Sequence, residues 1–187
     1  RARLRRGDPV MNGDLMAEVQ PMIPALRRYA RGLLRDPAAA DDAVQDCLER
    51  VVANWHRRRD GNPRPWVFTI LHNVAVTQMR QRARRGIAVP VEDAAGALAT
   101  RPTQEDGLAQ HDILAALALL PDDQRSVLLL ISVEDMSYAE ASRVLGVPMG
   151  TVMSRLSRGR ERLRAILNER GIGTPANRPR PNLRSIP

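Results

Sequence analysis

Residues 137–164 constrain this chain more than any other stretch: Ser-Tyr-Ala-Glu-Ala-Ser-Arg-Val-Leu-Gly-Val-Pro-Met-Gly-Thr-Val-Met-Ser-Arg-Leu-Ser-Arg-Gly-Arg-Glu-Arg-Leu-Arg. Ser137 and Glu140 have the S-x-x-E spacing of a capping box, which predicts a helix starting at about Tyr138. Ala139, Val144 and Leu145 supply its apolar side. Gly146 suits the position just past the helix end, where a positive φ is easy only without a Cβ. Pro148 cannot extend that helix but suits the start of another. In the second helix Val152, Leu156, Gly159 and Leu163 share one face and are expected to pack inward. Thr151, Ser154, Arg155, Arg158 and Arg162 fall on the opposite face, short and polar near the helix start and cationic beyond it. This is the pattern of a helix-turn-helix. Its second helix can enter a major groove, where hydroxyls and arginine forks reach base edges and phosphates.

The bulk composition agrees with a polyanionic partner. The formal net charge is +8, and all 29 basic residues are arginine. Arginine offers the bidentate geometry that phosphate and guanine accept. A single Cys47 leaves no internal disulfide and fits a reducing cytoplasm. No apolar run approaches the length of a membrane span, and the basic N-terminus lacks the apolar core of a secretory signal. His56, His72 and His111 are scattered, with no Cys/His cluster at metal-ligand spacing, so neither a metal nor a cofactor is expected. The carboxylates form no catalytic set, and the chain is not expected to be an enzyme.

Elsewhere the apolar residues follow helical spacing, and no segment alternates like a strand. The reading is all-α, with two small helical domains joined by a flexible linker. Residues 1–10 read as a disordered or added extension. Residues 11–85 form the first domain, with helices at about 14–35 (kinked near Pro21 and Pro24), 38–57 and 64–85, the first broken by Asp36-Pro37. Residues 86–107 hold Pro90, Gly96, Pro102 and Gly107 with a net negative charge, and read as an acidic linker. Residues 108–170 form the second domain, and 171–187 read as a disordered tail.

Two helices of the first domain carry further signals. The second has an apolar stripe of Val44, Cys47, Leu48, Val51 and Trp55. Its other side carries Asp42, Gln45, Asp46 and Glu49 at i, i+3, i+4 and i+7. In a basic chain such an acidic row avoids DNA and suits a basic protein surface. The third helix points Val67, Leu71, Val74 and Ala75 one way and Trp66, Asn73, Thr77, Arg80 and Arg84 another, with Ile70 beside them. An aromatic, an amide and arginines in one stripe can stack on, hydrogen-bond to and neutralise nucleic acid.

Taken together these residues resemble a bacterial sigma factor of the extracytoplasmic-function group, over about 15–85 and 108–168. Residues 40–46 resemble the segment that docks on the clamp coiled coil of RNA polymerase. Residues 65–73 with Arg80 resemble the segments that melt and read the −10 element. Leu120, Pro121, Gln124, Arg125, Leu128 and Leu129 resemble the helix that meets the polymerase flap. Residues 151–156 with Arg158 resemble the −35 reading helix. The resemblance implies a transcription initiation factor that binds core RNA polymerase, recognises −35 and −10 promoter DNA as duplex and melted strand, and is controlled by an anti-sigma factor. It implies −35 contacts from Thr151, Met153, Ser154, Arg155, Ser157, Arg158 and Arg162. It implies −10 contacts from Trp66, Ile70, Asn73, Thr77, Arg80 and Arg84, with Ile70 and Asn73 helping to form a pocket for an unstacked base. It implies polymerase contacts from Asp42, Gln45, Asp46 and Glu49. A stand-alone dimeric helix-turn-helix regulator is the alternative, but it gives the acidic row, the second DNA stripe and the linker no role.

Overall fold

The computed structural model describes residues 15–58, 61–85, 113 and 115–170. The extension, the acidic linker and the tail read from the sequence lie outside these residues. Among the described residues all regular structure is helical.

The expected kinked helix is a restart. Helical residues 15–19 lead into a 3-10 turn, Gln20–Met22, and then helix α1, Ile23–Leu34. Pro21 and Pro24 sit in first turns, where a missing N–H costs no hydrogen bond. Arg35 ends α1 in the left-handed region at φ 61°. Asp36 then caps α2, Pro37–Asn54, its Oδ1 accepting from the Ala39 amide at 3.1 Å. The Asp-Pro breaker is thus also the start signal of the next helix. After a 3-10 turn, Trp55–Arg57, comes α3, Arg64–Arg84.

In the second half, helical residues 115–118 precede α4, Asp122–Leu128, which continues into a π-helical turn, Leu129–Val133. The capping box is formed: Glu140 N donates to Ser137 Oγ at 3.2 Å, and Ser137 N donates to Glu140 Oε2 at 3.0 Å. It starts α5, Tyr138–Leu145, which ends at Gly146 with φ 64°. Pro148 precedes α6, Met149–Glu169. Gly159 lets α6 lie close on α4, since a Cβ there would come within 3.0 Å of Leu128 Cδ1.

One apolar core runs through both halves. Leu26, Tyr29 and Leu33 of α1, Cys47 and Val51 of α2, and Val67, Phe68 and Leu71 of α3 are fully buried. Val127, Leu129, Leu130 and Val152 extend the same core into the second half. Each such aliphatic or aromatic side chain contributes about 1.5–3 kcal/mol by leaving water.

The sequence left the mutual placement of the halves open, and the structure packs them together. Leu129 lies so close to α1 that a Cβ on Gly32 would meet its Cδ2 at 2.8 Å. Arg125, fully buried, donates to Leu33 O across the seam at 3.0 Å and to Leu120 O at 3.2 Å. Arg35 Nη1 donates to Ala118 O at 2.6 Å. The buried Glu134 carboxylate accepts from Arg28 at 3.2 and 3.1 Å and from Arg64 at 3.2 Å.

Candidate nucleic-acid interface

Helix α6 presents its polar side outward because Val152, Leu156 and Gly159 are buried beneath it. Met153, Ser154, Ser157, Arg158 and Arg162 are exposed, while Thr151 is half-buried. The Ser154 hydroxyl donates to Thr151 O at 3.0 Å. Arg155 departs from the expected row. Its Nε turns back to Asp123 Oδ2 at 3.1 Å, and its side chain is only 30% exposed. The outward face is therefore a protruding ridge of methionine, hydroxyls and two arginines. A ridge of that kind can enter a groove.

Helix α3 is arranged differently. Asn73, Thr77, Arg80 and Arg84 are exposed along one side, and Trp66 and Ile70 are half-buried at its base. The Thr77 hydroxyl is turned to its own helix, donating to Asn73 O at 2.7 Å. Trp66 packs edge-on against Trp55, with ring centroids 6.0 Å apart, so part of its surface belongs to the core. Its remaining surface, with Ile70 and Asn73, lines an open hollow of about 330 Å³ bordered by Arg50, Asn54 and Arg57. The sequence reading missed these last three. Arg50 and Asn54 end α2 and Arg57 ends the 3-10 turn that follows, at i, i+4 and i+7, so a polar row was there to be seen. The hollow combines an aromatic surface, two amides and two guanidinium groups, a chemistry that suits a nucleobase and its phosphate.

The other side of α3 carries the partly buried His72. His72 shares a hydrogen bond with the buried Tyr29 hydroxyl at 2.8 Å, and burial pulls its pKa down to about 4. Burial also pushes the Tyr29 phenol up and the Cys47 thiol up to about 12. At neutral pH all three are uncharged packing groups, and Cys47 has none of the thiolate character of a reactive cysteine.

On α2, Asp42, Gln45, Asp46 and Glu49 are all exposed, with Gln45 donating to Glu49 at 3.2 Å. Asp41 instead turns to α1, lying 3.5 Å from Arg31 and 3.9 Å from Arg27. The acidic row borders a groove of about 650 Å³ floored by Val44, Leu48 and Val52. Val52 is 57% exposed and gives this face an apolar element absent from the sequence reading. Of the residues that resemble the flap-meeting helix, Leu120, Arg125, Leu128 and Leu129 are buried. Among the described residues no group of His, Cys, Asp and Glu gathers to hold a metal ion, and no helix is long and apolar enough to cross a membrane.

Comparison with known proteins bears on what these surfaces meet. Residues 19–72 match the family model of the Sigma2 domain of PhyR, and residues 110–163 match that of Sigma-70, region 4. The chain is 36% identical over 162 residues to the ECF RNA polymerase sigma factor EcfG of Rhodopseudomonas palustris, covering 84% of this chain and 87% of that protein. It is 32% identical over 158 residues to the ECF RNA polymerase sigma factor SigM of Mycobacterium tuberculosis, covering 82% and 76%. Among solved structures it is similar to the sigma factor RpoE from Bartonella quintana, determined in complex with the anti-sigma factor NepR. There the TM-score is 0.70 at 36% identity, over 83% of this chain and 97% of that one. CnrH, determined with the cytosolic domain of CnrY, shares the fold at 24% identity and a TM-score of 0.57, covering 87% and 91%.

Proposed function

The chain belongs to the extracytoplasmic-function sigma factors of RNA polymerase, and from that premise we propose how its surfaces divide the work of transcription initiation. The ridge of α6 (Thr151, Met153, Ser154, Ser157, Arg158, Arg162) reads the −35 duplex, with Arg155 at its edge. The stripe of α3 reads the −10 element. Arg80, Arg84 and Thr77 follow the backbone, while Trp66, Ile70 and Asn73 receive a base lifted out of the stack. Extracting that base costs a few kcal/mol, which stacking and hydrogen bonds at this open hollow offset. Arg50, Asn54 and Arg57 complete that hollow. Asp42, Gln45, Asp46 and Glu49, with Val52 in the groove beside them, dock on core RNA polymerase.

The observation that carries this reading is the separation of charge. Two arginine-bearing faces on different halves of the molecule stand exposed, and the acidic row lies on a third face. A chain that must hold DNA and a protein machine together needs that division, because an acidic row beside the DNA path would repel phosphate. On this reading the protein acts in the cytoplasm, catalyses nothing itself, and is held inactive by an anti-sigma factor until needed.

The test is transcription in vitro. Core polymerase with and without this protein is given fragmented genomic DNA, and transcript 5′ ends are sequenced. New starts preceded by a shared −35 and −10 pair are expected. Duplex binding without any new start would point instead to a stand-alone regulator.

A further inference from the structure

We propose that Met149 and Met153 form an oxidation site on α6. A peroxide converts their thioethers to sulfoxides, and the oxidised chain loses its hold on the −35 duplex. The site itself rests on the geometry of α6 alone; its effect on DNA rests on the promoter reading above.

The chain offers an oxidant two kinds of sulfur. Its single cysteine, Cys47, has no exposed surface, and its Sγ is turned to Val67 O at 3.6 Å. Burial pushes that thiol up to about 12, so it supplies no thiolate for a peroxide to reach. A thioether needs no deprotonation, and its reactivity follows its exposure. Of the seven methionines, Met11 lies outside the described residues, and the fold sorts the rest. Met136 is 4% exposed, and Met22 and Met79 pack half-buried against the core. Met149 and Met153 are 48% and 44% exposed.

Their placement gives the pair a consequence. Helix α6 buries Val152 and Leu156 and half-buries Leu163, Ile166 and Leu167. The large apolar side chains that it leaves exposed are Met149 and Met153. Met149 opens the helix, Met153 follows at i+4 and Ser157 at i+8, so the three form one flank of the ridge. The start of a groove-reading helix is the end that meets base edges. Leucine at either position would give a similar apolar contact with the same helix preference. What methionine adds is a flexible, oxidisable sulfur.

The chemistry is a two-electron oxygen transfer. The Sδ lone pair attacks one oxygen of a peroxide, and the S–O bond forms as the O–O bond breaks. The other oxygen leaves with the electron pair and takes the proton of the transferred hydroxyl, departing as water. Sulfur is oxidised and the peroxide reduced. The sulfoxide oxygen accepts hydrogen bonds and donates none. Guanine N7 and O6, adenine N7 and thymine O4 are acceptors too, and the thymine methyl is an apolar partner that the thioether suits better. Two new acceptors thus stand against acceptors where an apolar contact was. Arg158 and Arg162 keep their charge, so the hold on phosphate persists while recognition of the element is lost. The modification is reversible, because reductases exist for both sulfoxide epimers.

The experiment treats the purified full chain with hydrogen peroxide, removes the oxidant and maps the products by peptide mass spectrometry. Met149 and Met153 should each gain one oxygen well before Met136, Met22 and Met79. Equal rates at all five, or Met136 ahead of the pair, overturn the site. The same samples are then joined to core polymerase and titrated onto a promoter that the untreated protein serves. Oxidation should weaken promoter binding about tenfold, the weight of roughly one base contact. Co-elution with core polymerase, through a different face, should be retained. Met149→Leu with Met153→Leu is compared with its own untreated form, whatever affinity that has, and should lose nothing on oxidation. This variant keeps Met16, 52% exposed and outside α6, so it separates the ridge from damage elsewhere. A wild-type chain that carries both sulfoxides and binds as before, or a double variant that loses as much as the wild type, overturns the effect on DNA. Should the double variant fail to fold or bind, reductase treatment of the oxidised wild type decides. Affinity should return as the two sulfoxides disappear; affinity that stays low once both are reduced overturns the effect. Failure of the promoter reading is seen separately, as absence of transcripts before any oxidant is added.

Discussion

Helices α3 and α6 are both 21 residues long, both carry arginines on an outer face, and yet present different surfaces to solvent. The outer face of α6 protrudes, and Arg155 is drawn aside to Asp123. The outer face of α3 falls into a hollow, because the end of α2 and the 3-10 turn after it stand beside it with Arg50, Asn54 and Arg57. A ridge can reach base edges in an intact duplex, and an open hollow can receive a base that has left one. The shape therefore follows from which neighbour stands beside the helix, not from the helix's own composition. The inner faces differ too. Beneath α6 lie Val152, Leu156 and Gly159, whereas the inner side of α3 carries the titratable His72.

That inner difference gives the largest expected effect. His72 is held neutral by burial, its pKa near 4 against an ordinary value of about 6.5. On acidification the unfolded chain takes up this proton first. The stabilisation is therefore complete above about pH 6.5 and is lost as the pH falls toward 4, by about 2–3 kcal/mol in all. Glu134 works in the opposite sense, since burial raises its carboxyl above the ordinary carboxylate range despite Arg28 and Arg64. The comparison must therefore be a difference between chains. His72→Gln, which can still bond Tyr29, should lose about 2 kcal/mol less than the wild type between pH 7 and pH 4.5 in urea unfolding. Equal losses would mean that His72 is already protonated in the fold.

The two outer faces are separated by a crossed pair of substitutions. Arg158→Ala should weaken binding to −35 duplex by about 1–3 kcal/mol, the discrimination carried by one bidentate arginine–base contact. Opening at −10, once the complex has formed, should be little changed. Asn73→Ala should do the reverse. Duplex binding should survive, while permanganate reactivity of the melted −10 strand falls in line with an unmet hydrogen bond, about 1–3 kcal/mol. If both variants fail at the same step, the ridge and the hollow do not have separate roles.

Much of this was legible in the sequence where the signal is local. The capping box at Ser137, the positive φ at Gly146 and the inward row of α6 all follow from spacing, and the structure contains each. Asp36-Pro37 was read as a breaker, and its second role as a cap for α2 needed only the same rule applied forward. What escaped was non-local. Arg50, Asn54 and Arg57 have correct helical spacing, but their meeting with Trp66 depends on how α2 crosses α3, which periodicity does not encode. Arg125 lies in the segment that resembles the flap-meeting helix, and its burial against Leu33 of the other half carried no local signal. Glu134 carried no signal at all, because a lone glutamate in a turn looks solvated until its arginines are found 106 and 70 residues away.

The smallest expected effect tests whether the ridge depends on a local device as much as the hollow depends on a neighbouring helix. Helix α5 has only eight residues, too few to persist alone, and it sets the direction of α6 through the Gly146 turn. Its start is secured at the surface by the reciprocal Ser137–Glu140 bonds, and those bonds hold the Glu140 carboxyl below its usual range. The corresponding cap in the first half, Asp36, is tied in addition to Arg82 of α3 at 2.7 Å, so a second element holds it. Ser137→Ala should therefore cost about 1 kcal/mol of stability, the ordinary value of an N-cap. Faster amide hydrogen exchange should be confined to the first turn of α5, with α2 unchanged, because α5 packs on α3 and reaches α2 chiefly through it. Exchange rising equally in both halves would show that the seam spreads a local loss through the whole chain, so that ridge and hollow share one stability rather than two.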